Sequence, residues 1–157
     1  MVPPSIPWRG TRQIDDFGGG GFGAPRSRNG VAYTHKGLDC ITIPRDPIVA
    51  PFAGGIYATP GWAYPGHAGG LRTLHLRAFP WRCTLMYVLP LPDLDEKSVS
   101  MGQPLGEAQD VAGYHMDKNG GRMTMTNHLH MELYELVAGL WTLRDPTVYL
   151  VVPKCDG

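Results

Sequence analysis

The chain has 157 residues, with 14 Lys and Arg balancing 14 Asp and Glu for a formal net charge of zero. That neutrality excludes a non-specific nucleic-acid binder, which needs a basic face, and no apolar run nears the roughly 18 residues of a membrane span. Its 21 glycines and 15 prolines are about twice the ordinary share and exclude long helices, while 43% hydrophobic residues can bury one domain's core.

The first residues, Met1-Val2-Pro3-Pro4-Ser5-Ile6-Pro7, have neither the charged start nor the apolar run of a signal peptide, so synthesis in a cytoplasm is expected. Residues 1–15 show no period and read as an extended arm, with one domain over 16–157. Phe17 to Arg26 is a Gly-rich loop flanked by aromatics. It lacks the Lys-Ser/Thr ending of a phosphate loop, so it reads as backbone packed close to something else.

From Ile41 onward, short apolar runs alternate with turn residues. Ile48–Ala50, Gly55–Ala58, Leu71–Leu76, Thr84–Leu89 and His128–Leu133 have strand length, and Gly or Pro punctuates the chain between them. This is the layout of an all-β domain. Leu94–Lys97 and Glu135–Gly139 are the two segments with helical character, both too short to organise a fold. Cys40, Cys83 and Cys155 form no Cys-x-x-Cys pair and read as buried free thiols, with a Cys83–Cys155 bridge as the alternative.

Two of the histidine groupings have chemical spacing. In Thr34-His35-Lys36-Gly37-Leu38-Asp39, residues four apart on an extended strand share a face, with Gly37 letting the backbone bend between imidazole and carboxylate. In Asn127-His128-Leu129-His130, residues two apart also share a face. His35, Asp39 and one of the two strand histidines would supply the three ligands of a catalytic zinc. The other histidine would stand close enough to take a proton from an attacking water or to stabilise an oxyanion. A lone His-x-His is ordinarily two surface histidines; it is the second grouping in a β context that makes a metal site worth testing.

The chain resembles the lysostaphin-type, LytM-like zinc endopeptidases of bacterial peptidoglycan. The likeness runs in order through Asp16–Arg26, Thr34–Asp39, Asp46–Ile56, Val99–Gly106, His128–Glu132 and Asp145–Leu150. It implies an antiparallel sheet whose loops wall a zinc-containing groove, with Zn2+ on His35, Asp39 and His130 and with His128 as catalytic base or transition-state stabiliser. The implied substrates are peptidoglycan peptides at the bacterial cell wall, and a single domain without a signal peptide resembles a phage lysis enzyme or virion-borne hydrolase. One departure stands out: the family's usual Tyr-x-His-Leu segment is Tyr87-Val88-Leu89-Pro90 here, with Leu89 at the histidine. In this the chain is similar to the vertebrate leukocyte-derived chemotaxin branch, and the alternative function is a catalytically impaired, zinc-bearing peptide- or partner-binding domain. A third class is an interaction module without metal.

His75 is a second catalytic candidate, because one hairpin register turns it toward the groove and a shift of one residue turns it away. His67 and His115 lie among turn residues and read as solvated. The segment from 109 to 126 reads as a long loop beside the groove that, with Phe17 to Phe22, would contact substrate.

Overall fold

A computed structural model of the chain describes residues 1–28, 30–57, 61–64, 70–94, 97–118 and 120–152. Thirteen strands among these residues are β1 (Pro25–Arg28), β2 (Val31–Thr34), β3 (Leu38–Ile41), β4 (Pro47–Val49), β5 (Gly54–Ile56), β6 (Gly61–Trp62), β7 (Arg72–Ala78), β8 (Trp81–Met86), β9 (Val88–Pro90), β10 (Ser98–Val99), β11 (Pro104–Ala108), β12 (His128–Val137) and β13 (Leu140–Arg144). One α-helix, α1 (Val111–Lys118), precedes β12, and a 3-10 turn over Pro146–Val148 follows β13. The main sheet runs β10-β5-β7-β8-β12-β13, with β3 also on β12 and β6 on β7; β4-β11-β9 form a second sheet and β1-β2 a hairpin. Every pairing is antiparallel, as the alternating pattern predicts.

Strand β12 organises the molecule. One edge pairs with β8 along His130–Glu135, and the other is shared end to end by β3, along His128–Met131, and β13, along Leu133–Val137. Its alternation is strict: Leu129, Met131 and Leu133 are fully buried, while His128, His130, Glu132 and Tyr134 fall on the opposite face. The registers carry this across the sheet. Met131 stands beside Leu85 and Leu74 and Leu133 beside Cys83 and Leu76 on the core face, while Glu132 aligns with Thr84 and His75 on the other. The core under the sheet gathers these residues with Leu38, Cys40, Ile48 and Leu105.

Several expectations change here. Glu135–Val137 continues β12 instead of starting a helix, because Ala138 and Gly139 both take positive φ (49° and 83°) and close a two-residue hairpin onto Leu140. The 109–126 segment is not all loop. Asp110 caps α1 by accepting from the Gly113 amide at 2.7 Å, and Val111 packs with Leu71 and Tyr87 in a small separate cluster. Thr84–Leu89 is two strands, broken at Tyr87. Of Leu94–Lys97 the middle lies outside the described residues, as do His67, Ala58 and Cys155. Cys40 and Cys83 are buried free thiols, and burial pushes both up. Residues 1–15 are stitched to the strands that follow: Val2 donates to Pro51, Ile6 to Pro47 and Arg12 to Asp39, while Val49 donates to Pro4. Among the described residues no helix is long and apolar enough to cross a membrane.

Candidate metal centre

The β3–β12 register sets His130 directly across from Asp39. His128 is one step along the same face, and His35 enters from the chain just before β3. The turn between His35 and Asp39 needs glycine, because a Cβ on Gly37 would lie 2.5 Å from the Met131 carbonyl and 2.6 Å from the His130 ring. The Gly-rich loop proves to be close backbone as well. Asp39 donates its amide to Gly20 O at 2.8 Å, and a Cβ on Gly20 would collide with the Asp39 side chain at 2.8 Å.

His35, Asp39 and His130 thus come together as a buried set of three ligand-type atoms. His130 Nδ1 lies 2.8 Å from Asp39 Oδ1 and 3.0 Å from His35 Nε2, and His35 Nε2 lies 3.2 Å from that oxygen. Tetrahedral zinc with bonds near 2.0–2.1 Å separates its ligand atoms by about 3.3 Å, so a small outward shift fits the set to the ion. The supporting contacts fit as well. His35 Nδ1 donates to Gly21 O at 2.9 Å, which leaves Nε2 for a metal, and His130 Nε2 faces Glu132 Oε1 at 3.4 Å, which leaves Nδ1. Tyr134 donates to the other Glu132 oxygen at 2.6 Å. His128 Nδ1 donates to Thr126 O at 2.8 Å, and its Nε2 points at Asp39 Oδ1 from 3.7 Å. It is the third nitrogen at the cluster, after those of His35 and His130.

Asp39 divides its oxygens. While Oδ1 faces the histidines, Oδ2 accepts from Arg12 Nε at 3.0 Å and Nη2 at 2.8 Å, and Arg12 reaches on to Asp15 at 2.6 Å. Burial opposes a charge on Asp39, but hydrogen bonds from His130 and His35 outweigh it and hold the carboxyl well below its usual range. Burial also disfavours a charged His130, yet Asp39 and Glu132 raise it to about 9. Burial dominates at His128 and pushes it down to about 4, against the pull of Asp39. A metal on His130 therefore has a proton to displace, whereas His128 is a neutral imidazole with a free lone pair at Nε2.

The cluster lies on the floor of a cavity of about 440 Å3. Its lining includes Phe17, Arg26 and Tyr33 together with Tyr64, Tyr87, His115 and Met125, Phe17 and His115 meeting with ring centroids 5.4 Å apart. Three sequence expectations read differently in this setting. Leu89 is 52% exposed and pairs with Glu107 in the second sheet, away from the cavity; the side chain this stretch turns toward His128 is Tyr87. His115 is not a solvated loop residue but a wall residue on α1, 3.1 Å from the Tyr64 hydroxyl. His75 has the groove-side register, yet it stands two strands from β12 beside Thr84, whose hydroxyl is 3.1 Å from its Nδ1, and its ring tilts against Tyr57. The structure does not bring it to the cluster. Arg12, Glu132 and Tyr87 are the site residues that spacing alone missed; of these only Glu132, two positions past His130, carried a signal in its alternation.

No family model matches the sequence, and no curated protein matches it. Solved structures do match. The catalytic domain of the antimicrobial peptidase lysostaphin from Staphylococcus simulans aligns with a TM-score of 0.57 at 22% identity, over 82% of this chain and 87% of that one. The catalytic domain of the prophage-encoded M23 protein EnpA from Enterococcus faecalis, solved as a single-site mutant, gives 0.52 at 16% identity over 94% and 95%. A chain of the SpoIIIAH–SpoIIQ complex gives 0.61 at 13% identity over 95% and 99%. The mostly antiparallel β architecture of this chain is thus the fold of the lysostaphin and EnpA catalytic domains, and it carries a His-Asp-His cluster suited to a metal ion.

Proposed function

We propose that the chain is a zinc-dependent endopeptidase domain acting on peptide bonds of bacterial peptidoglycan. The observation that carries this reading is the set of His35, Asp39 and His130 atoms 2.8–3.2 Å apart on the floor of a cavity, in a fold shared with a peptidase catalytic domain. Zinc held there would polarise the scissile carbonyl and acidify the attacking water. Asp39 and the two histidines would hold the ion, Arg12 fixes Asp39 through its other oxygen, and Glu132 orients His130. His128, neutral and aimed by Thr126, takes the proton of the attacking water at Nε2. His75 is left to contact an extended peptide running along the same sheet face. A phage lysis enzyme or virion-borne hydrolase is the setting we favour, with a parallel in the prophage origin of EnpA.

Turbidity of a purified peptidoglycan suspension tests the reading. Clearing should stop with chelator, return with Zn2+, and fall by about a thousandfold or more in His128→Ala. Clearing that ignores both chelator and His128 sinks it. The similarity to the SpoIIIAH–SpoIIQ complex favours a second reading, a metal-bearing partner-binding domain; that reading gains if metal removal lowers the melting temperature while no peptide bond is ever cut.

A further inference from the structure

Tyr87, Tyr64 and His115 form a hydrogen-bonded chain along the cavity wall. The Tyr64 hydroxyl is 2.9 Å from that of Tyr87 and 3.1 Å from His115 Nε2. The inner end is Tyr87, whose ring meets His128 edge to face with centroids 5.4 Å apart. The outer end is on α1.

The backbone is strained to put Tyr87 there. Met86 already faces the groove, so strict alternation would turn residue 87 to the core. Instead Tyr87 takes φ 71°, a left-handed conformation that bulky residues seldom adopt, and the two consecutive side chains both line the cavity. Two hydrogen bonds fix the turn: the Tyr87 amide donates to Arg72 O at 2.7 Å, and Tyr87 O accepts from Gln109 N at 2.9 Å. Gln109 also takes the Arg72 amide on its side-chain oxygen at 2.6 Å. The residue that leads into α1 therefore clamps both strands around the phenol.

We propose that Tyr87 donates its phenolic hydrogen to the carbonyl oxygen that becomes negative during peptide attack, and that His115, acting through Tyr64, sets the chain's direction so that this hydrogen is free. The inference rests on the peptidase reading and supplies the polar group that Leu89 does not. In the assigned direction His115 Nε2–H donates to Tyr64, Tyr64 donates to Tyr87, and Tyr87 O–H faces the cavity; no proton changes hands. The opposite direction would turn phenol lone pairs toward a developing anion. Burial, then the neighbouring Tyr64, holds Tyr87 well above the ordinary phenol range, and burial with Lys118 lowers His115. Both shifts favour the neutral forms, as a fixed donor chain requires. Tyr87 is a catalytic residue in this scheme; Tyr64 and His115 are positioning residues.

Initial rates over a concentration series of solubilised peptidoglycan test it, together with 15N NMR of the His115 ring. Tyr87→Phe, which keeps the ring and its packing, should lower kcat about a hundredfold with KM and bound metal unchanged. His115→Ala should lower kcat as well, and His115→Gln, whose amide N–H replaces Nε2–H, should restore most of it. The ring of His115 should carry hydrogen on Nε2 and not on Nδ1. Wild-type kcat in Tyr87→Phe, while His130→Ala is inactive, overturns the proposal and leaves the peptidase reading standing. An Nδ1–H tautomer overturns it whatever the activity. Wild-type protein that cuts nothing removes the peptidase reading and the proposal with it.

Discussion

The floor and the wall of the cavity are built on different principles. On the floor, each groove-facing residue of β12 alternates with a fully buried neighbour, so the ligands are backed by the main core. The wall of α1, Tyr64 and Tyr87 rests on a cluster in which, among the described residues, Leu71, Tyr87 and Val111 are buried. The difference teaches that metal geometry is held by the global fold, whereas the wall is held by local packing and a few hydrogen bonds, the kind of element that opens below the global unfolding free energy.

The largest effect should come from cutting the floor away from what fixes it. Arg12 and Asp39 are 3% and 2% exposed, so Arg12→Ala strips a buried carboxylate of its two shortest guanidinium contacts, leaving Arg26 at 3.6 Å, and should cost about 3 kcal/mol in urea unfolding of the metal-free protein. Arg12→Lys should recover only part, since an ammonium cannot make both contacts. A cost below about 1 kcal/mol for Arg12→Ala would mean that the histidines and Arg26 hold Asp39 without it.

The comparison itself is tested by a pair of truncations. Leu133→Ala, beneath the floor, should cost about 2–5 kcal/mol of global stability. Val111→Ala should cost about 1–2 kcal/mol and show it mainly as faster amide exchange in α1, with the β12 amides unchanged. Equal loss of protection in both elements would show that floor and wall unfold as one.

The smallest expected effect is of pH on the arm. Asp15 accepts from Arg12, from the Phe17 amide and from the Thr126 amide at 3.0 Å. Burial pushes its pKa up, but these hydrogen bonds outweigh it and the carboxyl is lowered. A depressed folded-state pKa contributes stability that is fully present above the unfolded value of about 3.9 and is lost as pH falls through the folded one. Asp15→Asn should therefore flatten the acid limb of a stability-versus-pH curve below about pH 4 and leave the neutral limb parallel to wild type. An unchanged acid limb would assign the loss to other carboxylates.

Much of the floor was legible in the sequence because its rules are periodic. The His128-x-His130 alternation depends on a strand's period of two, and Gly37 between His35 and Asp39 marks the bend that brings His35 in from the chain just before β3. What escaped depends on broken periods or long range. Tyr87 lines the cavity because alternation fails at that residue. The helix α1 is short and contains Gly113, so a composition reading takes it for loop. The β12–β13 hairpin turns at Ala138-Gly139 without the usual Asn-Gly or Asp-Gly. His75 had the correct face available, but its lateral distance from β12 is a matter of strand order, and no local pattern encodes strand order. Arg12 sits in an aperiodic arm and meets Asp39 across 27 residues.

That last contact bears on how the domain is cut and joined. The compositional border before residue 16 suggests that the arm can be discarded when the domain is fused to another binding module. A chimaera begun at residue 16 would lose Arg12 and Asp15 together, and with them the guanidinium that makes the two shortest arginine contacts to a carboxylate at the heart of the cluster. Shuffling experiments should carry the chain from before Gly10, whose carbonyl accepts from Ile41, so that the guanidinium travels with the groove it completes.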